Sequence, residues 1–203
     1  MNLRDTYNKI AEDWHKDHQA DDWWVEGTDT FSSFLNDGDE VLDIGCGGGS
    51  LSGYLIKKGL RVLGIDFSEK LIDIAKREVP EATFLILDMR NLSELTREFD
   101  GVFAQASLIH IPKKEALSIL QTFVSKLKSG GYLYIAVKGV RPLGPEEEIR
   151  KESDFGYAYQ RFFSYYTMDE LREYFEHLGL KVVYENIKTS RNRDWLQIIG
   201  KKS

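Results

Sequence analysis

Residues Val41 to Gly49 read VLDIGCGGG, an apolar strand that runs directly into a turn built from glycines. Gly45, Gly47 and Gly49 can take backbone angles closed to residues with a Cβ, and they let a ligand lie against the main chain. The segment that follows, SLSGYLIKKG, opens a helix whose first N–H groups are free to meet that ligand. Twenty-one residues after Gly45 stands Asp66, closing the apolar run RVLGI. In an open α/β sheet, an acid at the end of the second strand can accept hydrogen bonds from the ribose of a ligand lying beyond the strand ends. A nucleoside-bearing cofactor fits both features.

Outward from this stretch, short apolar runs alternate with longer amphipathic ones, the signature of βαβ units and of a mostly parallel sheet with helices on both faces. Strands are expected at 40–44, 61–65, 83–87, 101–105, 132–137, 181–186 and 195–200. Only IKTSRNRD joins the last two. That is too short for a helical crossover, so they form an antiparallel hairpin. The expected fold is α/β, a Rossmann-like three-layer sandwich whose seven-stranded, mostly parallel sheet ends in that hairpin. A single domain then divides into a helical cap (1–36), a cofactor-binding core (37–138), a lid or substrate segment (139–166) and a final helix and hairpin (167–203). Thr167 and Glu170 form a capping box at the start of the final helix. The lid leaves the carboxyl end of the fifth strand and so arches over the cofactor site.

The run VLDIGCGGG resembles motif I of class I S-adenosylmethionine-dependent methyltransferases: an apolar pair, Asp, an apolar residue, then Gly-x-Gly-x-Gly. A nicotinamide-binding strand would more usually carry an apolar residue at Asp43, and Ser50 stands where the last glycine of GxGxxG belongs. A carboxylate at 43 suits a cofactor that carries positive charge. The likeness continues through GIDFSEKLIDIAKRE, FLILDMRNL, FDGVFAQASLIHIPKKE and LKSGGYLYIAVK, and so spans nearly the whole chain. It implies S-adenosylmethionine as cofactor and S-adenosylhomocysteine as product. It further implies cofactor contacts from Asp43, Gly45, Cys46, Gly47, Gly49, Asp66, Phe67, Gln105, Ala106 and Ser107, with Asp88 near the adenine amino group and Met89 against the ring. Tyr7 and Trp14 are similar to aromatic positions of the family's N-terminal helix that close over the cofactor. Taken alone, Asp43 either touches the cofactor or holds the glycine loop, and Tyr7 and Trp14 also suit one face of a helix packed on the sheet.

With 203 residues, of which 42% are hydrophobic and 30% charged, the chain has the makings of one folded globular domain. No apolar run approaches the ~20 residues of a membrane span. The polar N-terminus lacks a signal peptide's apolar stretch, and a cytoplasmic protein is expected. One cysteine, Cys46, permits no internal disulfide and no Cys-rich metal site, and no His/Asp cluster has ligand spacing, so no metal is expected. A net charge of −6 speaks against nucleic acid as a partner. The expected partner is a small-molecule acceptor, and the chain a monomer or homodimer.

His110 follows the fourth strand at the reactive edge and titrates near neutral pH, which makes it the catalytic candidate; packing or loop orientation is its other reading. Trp23 is a candidate wall of the acceptor cleft. Lys138, Arg141, Arg161, Arg191 and Arg193 would converge at the mouth of an otherwise acidic protein, where an anionic acceptor would meet them. Acids such as Glu146, Glu147, Glu148, Asp154 and Asp194 are their alternative partners. The function implied is methyl transfer to an oxygen or nitrogen of a small acceptor. The alternatives are a tRNA or protein carboxyl methyltransferase working with a partner, on a loose likeness of RFFSYYTMDEL to tRNA wobble-uridine carboxyl methyltransferases, a cofactor-binding regulator without turnover, and a nicotinamide oxidoreductase.

Overall fold

The computed structural model describes residues 2–203. Two helices come first, α1 (Leu3–Asp17) and α2 (Val25–Ser33). The alternating core follows: β1 (Glu40–Ile44), α3 (Ser50–Lys57), β2 (Arg61–Asp66), α4 (Glu69–Glu78), β3 (Thr83–Ile86), β4 (Phe99–Gln105), α5 (Lys113–Ser125) and β5 (Leu127–Lys138). Then come β6 (Glu147–Glu152), β7 (Tyr159–Ser164), α6 (Met168–His177), β8 (Leu180–Ser190) and β9 (Arg193–Lys202).

The main sheet has seven strands in the order β3-β2-β1-β4-β5-β9-β8, parallel except where β9 runs against β5 and β8. This is the expected topology. The terminal hairpin is longer than its apolar centre suggests, because Arg191 and Asn192 both take positive φ (49° and 57°) and close it in a two-residue turn. Strand alternation sends Leu42, Ile44, Val102, Ala104, Leu133 and Ile135 into one core layer, and Val41, Phe103, Tyr134 and Ala136 into the other. Helices cover both faces. Helix α4 starts on Ser68, whose hydroxyl caps the Leu71 N–H at 3.2 Å, and α6 starts on the capping box of Thr167 and Glu170.

The segment after β5 departs from expectation. No strand is expected in the lid segment, yet it folds as a second sheet, the antiparallel pair β6–β7. Helix α1 lies between this pair and α4, with Tyr7, Ile10 and Ala11 buried against Leu71, Ile74 and Tyr159. Among the described residues, no helix is long and apolar enough to cross a membrane.

Candidate functional site

The glycine loop is held from beneath by its own sheet. The N–H groups of Gly45 and Cys46 donate to the Ile65 carbonyl at 2.8 and 3.0 Å, folding the loop over the end of β2. Gly45 has φ +73°, and a Cβ there would stand 2.5 Å from the Ser107 Cβ, so both conformation and space demand glycine. Asp66 accepts from the N–H of Gly47 at 3.1 Å and of Ser68 at 2.8 Å. Burial nevertheless raises its pKa to about 6. Asp43 is 2% exposed and accepts from the Ser52 hydroxyl at 2.6 Å, with burial pushing it up to about 7. It braces the loop against α3 from inside the sheet and lines neither cavity. Cys46 is buried, and burial pushes its thiol well up, which leaves it unreactive. Across from Gly45, the buried Ser107 hydroxyl has no hydrogen-bond partner, next to Ala106 with its positive φ of 53°. An unpaired buried hydroxyl is costly.

Two cavities open beside this loop. One, of about 660 Å³, is lined by Phe67, Asp88, Met89 and Arg90. The other, of about 380 Å³, is lined by Gly45, Cys46, Gly48, Gln105 and Ala106 on its floor, with Tyr7 and Trp14 from α1. His110 lines both. The first lies beyond the ends of β2 and β3, where a nucleoside would be expected. The second continues past the end of β5 to Lys138, Trp195 and the β6–β7 pair.

His110 is fully engaged. Its Nδ1 lies 2.8 Å from the Phe162 carbonyl, which can only accept, so Nδ1 carries the proton and Nε2 accepts from the Tyr7 hydroxyl at 2.8 Å. Burial, then the charges of Arg161 and Lys138, lower its pKa to about 3. The imidazole therefore stays neutral and has no free lone pair for an acceptor, contrary to the general-base expectation. The Tyr7 hydroxyl, also 3.4 Å from Arg161 Nη1, is the polar group of this trio that lines the cavity with a lone pair to spare.

The five cations singled out from sequence all line the second cavity, but two are already paired. Arg161 binds Glu152 with both edges of its guanidinium, Nε at 2.7 Å and Nη2 at 2.8 Å, so its anionic partner is internal. Arg191 pairs with Asp17 at 2.8 Å and Asp21 at 3.1 Å, fastening the terminal hairpin to the end of α1. Arg141 donates to the Asn192 carbonyl at 3.1 Å. Lys138 and Arg193 form no ion pair among the described residues, and neither does Arg150, which sequence reading passed over. Glu152 was missed as well. The signal for both was the period-two spacing of Glu148, Arg150 and Glu152, which places them on one face of a strand. Trp23 stacks on Trp195 with ring centres 3.9 Å apart and Trp24 meets Tyr54 edge-on, and both tryptophans line the second cavity. Gly47, Gly49, Asp66 and Ser107 shape the loop without lining a cavity.

The strand order, the reversed ninth strand and a glycine loop at the carboxyl edge define a Rossmann-like methyltransferase fold. Known proteins agree. Residues 41–131 match the family described as "Methyltransferase domain". The chain is 33% identical over 104 residues to a ubiquinone biosynthesis O-methyltransferase of Shewanella halifaxensis and 35% identical over 103 residues to one of Coxiella burnetii. Each match takes in 49% of this chain and 43% of the relative, so less than half the length of these relatives is matched. Among solved structures, magnesium protoporphyrin IX methyltransferase from Synechocystis PCC 6803, with bound S-adenosylmethionine, superposes with a TM-score of 0.75 at 22% identity, covering 99% of this chain and 95% of that one. The 1,6-didemethyltoxoflavin-N1-methyltransferase of Burkholderia thailandensis gives a TM-score of 0.77 at 20% identity, covering 99% and 87%. At these identities the likeness is one of fold. Residues 41–131 thus match a methyltransferase domain, within a fold that the chain shares with structures of S-adenosylmethionine-dependent methyltransferases.

Proposed function

We propose that this protein transfers the methyl group of S-adenosylmethionine to an oxygen or nitrogen of a small, anionic acceptor bound in the cavity between α1, β5 and the β6–β7 pair. The observation that carries this reading is that His110 lines both cavities, one suited to a nucleoside and the other walled by aromatic and cationic side chains. The residues present fit the cofactor. Asp88, Met89 and Phe67 surround the adenosine side, the unpartnered Ser107 hydroxyl lies under the loop, and the rings of Tyr7 and Trp14 offer faces that favour a cation. A volume of about 380 Å³ suits a small molecule.

S-adenosylmethionine supplies a methyl group on a sulfonium sulfur, already activated for in-line displacement. The chain's own task is to hold the acceptor in line and exclude water, and proximity of this kind contributes roughly 7–11 kcal/mol. Tyr7 is the residue placed to orient the nucleophile. Its proton is committed to His110, Arg161 occupies one lone pair of its oxygen, and the other can accept from an acceptor O–H or N–H. His110 acts as a positioning residue that fixes the Tyr7 hydroxyl, with its own tautomer set by Phe162.

Thermal unfolding with S-adenosylhomocysteine, NAD and NADP tests the cofactor half of this reading. At 100 times its dissociation constant a ligand adds about 2.7 kcal/mol of stability. S-adenosylhomocysteine is expected to raise the melting temperature by about 5–10 °C and the dinucleotides not at all. Stabilisation by NAD alone would overturn it. Mass-spectrometric detection of a methylated product in a metabolite mixture tests turnover, and its absence from every fraction of a cofactor-binding protein would favour a regulator.

A further inference from the structure

The acceptor cavity carries more positive charge than the protein neutralises. Lys138, Arg141, Arg150, Arg161, Arg191 and Arg193 line it, against the carboxylates of Asp17, Asp21, Glu152 and Asp154. Glu152 is taken by Arg161, Asp17 and Asp21 by Arg191, and Asp154 accepts from the Tyr159 hydroxyl. Lys138, Arg141, Arg150 and Arg193 are left without an acid, and of these Arg141 donates to the Asn192 carbonyl. The Lys138 ammonium lies 4.0 Å from the centre of the Phe163 ring, and the Arg150 guanidinium lies 5.8 Å from the same centre. Arg193, two residues from Trp195 and on the same face of β9, covers Tyr165 at 4.6 Å. In the β6–β7 ladder Arg150 stands directly opposite Arg161, a like-charge pair that weakens the hairpin unless counter-charge is supplied. Glu152 supplies it for one of the two. Glu148, the other acid of that face, accepts from the Tyr165 hydroxyl at 2.5 Å and forms no ion pair with either arginine. Burial lowers Lys138 to about 7, with Arg161, Arg150 and Arg193 adding to the effect, which places these cations within each other's field.

Concentrated charge of one sign in a partly desolvated site is costly, and an incoming ion of opposite sign relieves it. We infer that Lys138, Arg150 and Arg193 form a subsite for an oxyanion group of the acceptor, a phosphate or carboxylate, whose apolar body lies along the wall made by Phe163 and the Trp23–Trp195 stack. Two guanidiniums and an ammonium supply charged N–H donors for the lone pairs of such a group. This inference rests on the cavity being the acceptor site, and it adds which chemical class enters and which residues hold it.

Calorimetry on the full chain saturated with S-adenosylhomocysteine provides the test, with phenyl phosphate, benzoate and neutral benzyl alcohol as probes. At least one of the two anions is expected to bind about tenfold or more tightly than benzyl alcohol, and the stronger of them names the preferred oxyanion. Arg150→Gln and Arg193→Gln are each expected to weaken that anion about tenfold and to leave S-adenosylhomocysteine affinity unchanged, which also shows that the variants are folded. Equal affinity for charged and neutral probes, no measurable binding of either anion, or anion binding indifferent to both substitutions would overturn the subsite. Failure of the wild type to bind S-adenosylhomocysteine would instead sink the methyltransferase reading, so the two failures are distinguishable.

Discussion

Glu152→Ala is expected to be among the most damaging single substitutions in the chain. The Arg161 and Glu152 side chains are 11% and 6% exposed and meet in two parallel bonds of 2.7 and 2.8 Å. Removing the acid strands a guanidinium beside Lys138 and Arg150 with no counter-charge. Breaking a buried pair in this way costs about 3–5 kcal/mol. At roughly 2–4 °C per kcal/mol for a chain of this size, the melting temperature should fall by about 6–20 °C. Removing both charges, as in Glu152→Leu with Arg161→Met, should recover most of the loss, because the apolar surroundings of Tyr159 and Phe163 then meet apolar side chains. Urea and thermal unfolding of the wild type, Glu152→Leu, Arg161→Met and the double variant form a cycle that reads the coupling directly. A loss under ~1 kcal/mol for Glu152→Ala, or a double variant no more stable than it, would refute the reasoning. Arg161 would then count among the cations available to an acceptor.

Three further outcomes are expected. Burial lifts Asp43 from 3.8 to about 7, so the native state keeps a proton that the unfolded chain releases; stability should decline as pH rises from about 4 to about 7 and then level off, and Asp43→Asn should remove its share of that decline in urea midpoints. Tyr7→Phe should cost about 1 kcal/mol of stability by leaving His110 Nε2 unpaired, and lower turnover at least about tenfold, with calorimetric S-adenosylhomocysteine affinity unchanged. Oxyanion binding should weaken as pH rises above about 7, because Lys138, facing Arg161, Arg150 and Arg193 and helped only by Glu152, loses its proton there; Lys138→Arg should flatten that profile.

Most of the fold was legible because local rules and topology agreed. Two apolar runs ending in VLDIG and RVLGID specify parallel strands with a ligand edge, and a short connector leaves the last two strands only one way to pair. The β6–β7 hairpin was hidden for the opposite reason. EEIRKE has almost no apolar signal, Ile149 is 58% exposed, and the strand exists because of its partner. Register then decides everything nearby: that Arg161 meets Glu152 rather than Asp154 or Glu146 follows from a pairing of strands, which residue types alone do not reveal. The Tyr7 contact with His110 spans 103 residues of sequence. Each was recognisable as a candidate, but that they share a hydrogen bond, and that it keeps the imidazole neutral, came only from the packing of α1.

The reversed polarity of β9 separates two chemical tasks. Parallel strands arrive at the carboxyl edge of the sheet with their last residues, whereas β9 departs from it with its first, placing Arg193 and Trp195 in the wall of the second cavity. Register is strictly set there, because a one-residue slip would carry both to the opposite face of the sheet together with the buried Leu196, Ile198 and Ile199. Substitutions around the turn at Arg191 and Asn192 therefore reshape one wall of this cavity from an element that is separate in sequence from the glycine loop.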